Sequence, residues 1–188
     1  MKIVCVSESI KKNLLSIQYD GIDVSEFRRI INYWNDPKDL KKFFEDNQTD
    51  LNSGYFGTIS VSKAIQRTIF EAKKLEKIIY DVALAGQSDA TNNLQILFKP
   101  LYNKEKEKYP IPQLQESKVY GKTWLRIYAV RIGINCFVIS GGAIKLTKDM
   151  QAEHLKDELE KLKSTKQYLK DIDFVDDDYE LLDFFELK

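Results

Sequence analysis

An α+β fold, an antiparallel β-meander packed against helices, is predicted by three observations. Apolar residues recur at helical spacing for about 25 residues after Ser60. The segment WLRIYAVRI, residues 124–132, alternates with the period of two that marks a strand. Helical patterns come first, then short strands separated by turn residues, then one amphipathic helix, an order that fits α+β layering.

The elements run in order along the chain. Leu14 to Tyr19 (LLSIQY) reads as a strand closed by the turn dipeptide Asp20-Gly21. Ser25 is an N-cap for a helix carrying Phe27, Ile30, Ile31 and Trp34 on one side. Asp36-Pro37 restarts a second helix, with proline in the first turn where its missing N–H costs nothing. Asn47 to Gly57 is a polar connection. Ser60 caps the long helix, whose stripe is Val61, Ile65, Ile69, Ala72, Leu75, Ile79 and Val82, ending near Ala85-Gly86. A shorter helix is expected from Ala90 to Phe98, stopping before Pro100. The charged run from Tyr102 to Lys118 contains Pro110 and Pro112 and reads as a surface loop. Three strands are then expected: Trp124–Ile132, Cys136–Ser140 after a hairpin loop at 133–135, and Ala143–Thr147 after a turn at Gly141-Gly142. A helix from about Asp149 carries Leu155, Leu159, Leu162 and Leu169. The chain divides on this reading into an N-terminal strand-plus-helices extension (1–57), an α+β core (58–170) and an acidic aromatic tail (171–188).

Hydrophobic residues make up 43% of the 188 and aromatics 12%, enough for a core, which excludes global disorder. No apolar run approaches the roughly 20 residues that cross a bilayer. The N-terminal apolar run is too short for a secretory signal, and Cys5 and Cys136 are far apart with no metal-ligand spacing. A cytoplasmic setting without metal, cofactor or membrane is the expectation. The zero net charge hides an asymmetry. Residues 1–98 balance, residues 99–170 carry +7, and residues 171–188 carry −7. A basic block followed by an acidic tail points to an anionic partner and to an internal competitor for it; a merely solvated tail is the plainer alternative.

The basic side chains of that block, Lys122, Arg126, Arg131, Lys145 and Lys148, fall on or beside the strands. Strict alternation places Trp124, Arg126, Tyr128 and Val130 on one face and Leu125, Ile127, Ala129 and Arg131 on the other. Charges on a half-buried sheet must find partners or face a ligand. An arginine fork grips two phosphate oxygens, and aromatics two positions away suit base stacking at about 1–3 kcal/mol each. In the structural alternative, Arg126 pairs with a carboxylate such as Asp81 or Glu76 and the aromatics belong to the core. His154, the single histidine, reads as a solvent-facing residue of a charged helix. No serine elbow, glycine-rich phosphate loop or metal cluster is present, so other hydrolase, kinase and metalloenzyme readings lack support.

Two segments carry a family likeness. LRIYAVRI resembles the central strand of the RelE/HigB superfamily of bacterial toxins, with an arginine before an aromatic. FVISGGAIKLTKDM, followed by a lysine-rich helix, is similar to the HigB-type pattern of apolar strand, glycine and lysine-bearing strand. The likeness covers roughly residues 60–170. It implies metal-independent cleavage of messenger RNA, free or on the ribosome, and neutralisation by an antitoxin protein. By the same resemblance Arg126, Tyr128 and Lys145 are the catalytic candidates, and Arg131 and Lys148 nucleic-acid-binding ones; Lys122 and Trp124 join the nucleic-acid-binding set from their place on or beside the strand. The chain is longer and less basic than such toxins and lacks an arginine or tyrosine at its C-terminal end, which leaves room for a non-catalytic protein- or nucleic-acid-binding module on the same fold.

Overall fold

The computed structural model describes residues 1–100, 123–133, 135–147, 152–172, 174 and 184–187, with 99–100 and 184–187 described as backbone only. Its order is β1 (Lys2–Cys5), β2 (Leu14–Gln18), α1 (Glu26–Asn35), α2 (Pro37–Asp46), α3 (Gln48–Leu51), α4 (Val61–Ala85), β3 (Phe98–Pro100), β4 (Leu125–Gly133), β5 (Cys136–Ile144), α5 (Glu153–Asp171) and β6 (Phe184–Leu187). The strands form one mixed sheet in the order β1-β2-β5-β4-β6-β3. The α+β class holds.

Local chemistry starts the helices where the sequence places them. The Ser25 hydroxyl accepts from the Arg28 N–H, the Asp36 carboxylate from Lys38 and Asp39, and the Ser60 hydroxyl from Lys63. Along α4 the deepest positions are Ala64, Thr68, Ala72, Ile79 and Ala83. The larger residues Ile65, Ile69, Leu75 and Val82 flank that line and are partly buried. Small residues let α1 and α2 pack closely on α4, while α1 lies against β5. The main core therefore joins Phe27, Ile30, Trp34 and Phe44 to Ile127, Phe137 and Ile144. On the opposite face of the sheet α5 covers a second cluster that includes Ile17, Tyr128, Val130, Val138, Leu155 and Leu162.

Three sequence expectations are corrected. The first is the boundary at 57/58. β2 pairs in parallel with β5, with Leu14 opposite Phe137 and Ser16 opposite Ile139, so residues 1–57 share one sheet and one core with the rest of the chain. The second is the helix over 90–98, which is a 3₁₀ turn at Leu94–Ile96 running into β3. Asn93 and Pro100 bracket a stretch too short for an α-helix. The third is the turn at Gly141-Gly142. Both glycines lie inside β5, opposite Tyr128 and Ile127, so a two-stranded hairpin replaces the expected meander.

The glycines serve close approach rather than turning. A Cβ on Gly142 would lie 2.7 Å from the Arg126 carbonyl and from Ile30 Cδ1. A Cβ on Gly141 would overlap Glu158 Oε2 on the other face. Gly142→Ala is expected to cost about 1–3 kcal/mol through overpacking against backbone. Gly141→Ala should cost less, because its obstacle is the end of a side chain. Paired urea melts check this, and an equal or reversed order would show that the strand gives way at 142. One residue earlier Ser140 is the extra residue of a bulge, between Tyr128 paired with Gly141 and Ala129 paired with Ile139. Its carbonyl accepts from the Tyr19 hydroxyl at 2.8 Å.

Candidate functional site

The basic face is built by the β4–β5 hairpin. Arg126 stands opposite Ala143, and the Lys145 N–H donates to the Trp124 carbonyl at 2.7 Å. Ala143 and Tyr128 belong to the α5-side cluster, whereas Leu125, Ile127, Ile144 and Leu146 belong to the other. Arg126, Tyr128 and Lys145 therefore share the α5-side face, and Arg131, opposite Phe137, takes the other. Arg126 is half-buried, and its Nη1 donates to the Thr123 and Leu125 carbonyls, each at 2.8 Å. Arg131 Nε donates to the Gly133 carbonyl at 3.0 Å. The two carbonyl contacts of Arg126 fold its guanidinium back over the start of β4. The carboxylates considered as its partners are engaged elsewhere, Glu76 with Arg28 and Asp81 with Lys77. Lys122 and Lys148 lie outside the described residues.

The two aromatics are core residues. Trp124 is fully buried, and its indole N–H donates to Thr68 Oγ1 at 3.0 Å. Phe44 and Phe56 pack on it, and the Arg67 guanidinium lies 4.2 Å from a ring centroid. Trp124 is thus on the α4 side, against the alternation that grouped it with Arg126, because it precedes β4 and is drawn to the Thr68 hydroxyl. Tyr128 keeps the face expected of it but is fully buried in the α5-side cluster. Ring burial is worth more to the fold than an open stacking platform would be, so neither residue presents its ring to a base.

His154 is where sequence reading falls short. It occupies the first turn of α5, and its Nε2 lies 2.9 Å from the Ile144 carbonyl, one residue from Lys145. Its ring stands edge-on to Phe43 at 5.3 Å. A carbonyl can only accept, so Nε2 carries the proton and Nδ1 is the basic nitrogen of the neutral ring. The signal was the short connection: a helix beginning so soon after a strand must place its first turn beside that strand's end.

A second polar constellation lies farther along β5, where α1 and α5 approach. Glu26 and Glu158 are buried, at 1% and 6% exposure. Arg29 donates to both Glu26 oxygens, at 2.7 and 2.5 Å. Lys161 bridges the carboxylates, 3.0 Å from Glu26 Oε1 and 2.6 Å from Glu158 Oε1. Glu158 Oε2 is buried without a hydrogen-bond partner, over Gly141. Desolvation pushes the Glu158 carboxyl above its ordinary range, with Lys161 opposing. For Glu26 the same desolvation is outweighed by the Arg29 hydrogen bonds and the Lys161 charge, which hold it below its ordinary range. Burial also raises the Tyr19 hydroxyl, which meets Thr165 Oγ1 at 3.2 Å. The cluster closes on itself as a clamp between α1, β5 and α5.

Among the described residues no three His, Cys, Asp or Glu side chains converge to hold a metal, and no helix is long and apolar enough to cross a membrane. No protein-family model, curated protein or solved structure matches the chain.

Proposed function

We propose that the protein is a RelE/HigB-like ribonuclease of the toxin type, cleaving messenger RNA without a metal and held in check by an antitoxin. One observation carries the reading. Arg126 and Lys145 are diagonal neighbours on one face of the β4–β5 ladder, a relation that spaces positions roughly 7–8 Å apart, at the end of β5 where His154 is tied down. Two cations so placed suit a scissile phosphate and the charge that develops on it. An imidazole with a basic Nδ1 suits removal of the 2′-hydroxyl proton. Arg126 and His154 are held by backbone carbonyls, which is the pre-organisation such chemistry needs.

Tyr128 drops out of the catalytic set in this proposal, and Trp124 out of the base-stacking one, because both rings are buried. That burial favours recognition of the phosphate backbone over recognition of bases. It is also the observation that speaks for the second reading, a non-catalytic module that binds nucleic acid or protein through the same face. Cleavage of a messenger RNA by the purified chain, with and without ribosomes, separates the two. Arg126→Ala is expected to lower the cleavage rate about 10²–10³-fold, and His154→Gln about 10²–10⁴-fold. Binding without cleavage in the parent protein would select the module. Unchanged cleavage in Arg126→Ala would remove the proposed site altogether.

A further inference from the structure

Helix α4 is buried along one side only. On the other, Lys63, Lys73, Lys74 and Lys77 lie three, four or seven positions from Phe70, so the five share one face, and all are exposed. Asp81, paired with Lys77, is the one exposed carboxylate of the helix. The exposed residues of α2 and α5 mix both signs in near balance, and those of α4 do not. Phe70 is 62% exposed, more than any other large apolar side chain among the described residues. The Lys74 ammonium lies 5.1 Å from its ring centroid. A solvated helix face is best served by pairs of opposite sign one turn apart. Four lysines round an exposed ring instead make a positive surface with an aromatic centre.

We infer that this face of α4 is a contact surface for single-stranded nucleic acid, with Phe70 stacking on one base while Lys63, Lys73 and Lys77 lie along the phosphates. Exposed aromatics among cations hold unpaired strands because every base offers a π-face and every nucleotide a charge. From Lys63 to Lys77 the helix rises about 21 Å, a length over which an extended strand presents several phosphates. The exposed Lys77–Asp81 pair is weak enough for a phosphate to displace. One ring on a face that otherwise carries Gln66 and lysines is too little apolar surface to enter a bilayer. The inference rests on the nucleic-acid reading above and adds the class of strand. The β4–β5 face has cations for phosphate but no ring to offer, since Trp124 and Tyr128 are buried. Thr123 joins the two surfaces: its carbonyl accepts from Arg126, and its hydroxyl donates to Glu71, the neighbour of Phe70. Stacking does not read sequence, so the preference is for unpaired RNA over duplex rather than for one base.

The test measures fluorescence anisotropy of a mixed-sequence oligoribonucleotide carrying 2′-O-methyl groups, which leave no hydroxyl to attack. Phe70→Ala is expected to weaken binding of the single strand about five- to a hundredfold. Phe70→Leu should lose nearly as much, and Phe70→Trp should keep the parent's affinity. Binding of a duplex of the same sequence should be unchanged in all three. Lys63→Ala combined with Lys73→Ala should lower the slope of log affinity against log salt by about 1.4, two phosphates at about 0.7 each. These side chains are exposed, so the variants keep the fold. If the parent binds the single strand and Phe70→Ala binds it equally well, the inference falls; a loss in Arg126→Ala, run in parallel, would show that the RNA reading stands without it. Loss in Phe70→Ala but not in Phe70→Leu would make the contact apolar rather than stacked and also overturn the inference. Sedimentation with phosphatidylserine vesicles that Phe70→Ala abolishes, with RNA binding unmoved, would give the face to a lipid surface instead. Weakening in Phe70→Ala with none in Arg126→Ala would keep the α4 surface and remove the β4–β5 site. If the parent binds no RNA at any salt, the RNA reading fails and takes this inference with it.

Discussion

Trp124→Ala is expected to destabilise the protein by about 3–5 kcal/mol, the range for removing a fully buried large aromatic. The indole fills the space between Phe44 and Phe56 at the foot of β4. Its N–H is the partner of the buried Thr68 hydroxyl, which itself donates to the Ala64 carbonyl. Beside it Arg67 is held by Glu71, and Glu71 accepts from Thr123, so the residue anchors the start of β4 to α4. Trp124→Phe keeps most of the volume and loses the hydrogen bond, for an expected loss of about 1–3 kcal/mol. Urea unfolding measures both. RNA affinity per folded molecule should be unchanged. A Trp124 variant that kept its stability and lost RNA affinity would return the residue to a base-stacking role.

Glu26→Ala is expected to cost about 3 kcal/mol at neutral pH, the lower end of the range for breaking a buried ion pair. The lower end applies because Arg29 and Lys161, at 37% and 30% exposure, can turn to water once the carboxylate is gone. The pH dependence separates the two carboxylates. Glu26 is held below its unfolded value, so its contribution is present above that value and is lost as pH falls through the folded one. Wild type and Glu26→Ala should therefore converge in stability towards low pH. Glu158 is raised, so its cost is absent below the unfolded value and grows as pH rises through the folded one. Glu158→Gln keeps an acceptor for Lys161 and should remove that decline. Urea melts across the acid-to-neutral range test both, and a Glu158→Gln profile parallel to wild type would show that Glu158 does not titrate in that window.

How much was legible depends on the range of each interaction. Caps at Ser25, Asp36 and Ser60, and the period of α4, depend on neighbours within one turn, and the structure carries them where the sequence puts them. The hairpin of β4 and β5 is likewise local, as is the sharing of one face by Arg126 and Tyr128. Gly141-Gly142 misled because a glycine pair is a turn signal by default. What makes these two strand residues is Trp34 and Ile30 on one face and Glu158 on the other, all distant in sequence.

The amino-acid sequence by itself determined helices α1, α2, α4 and α5, the strand pair, the α+β class and the charge asymmetry, since propensity, capping and composition act along the chain. Only the tertiary structure decided which aromatic rings are core, where His154 points its proton, how β2 enters beside β5, and that the acidic tail ends as an interior strand. Those outcomes turn on partners brought together across the chain. Lys161 reaches Glu26 over 135 positions, and Tyr128 pairs with Glu186 at the far end. A buried charge or an unfilled strand edge costs several kcal/mol wherever it occurs, but which residue relieves that cost is settled only when the layers close.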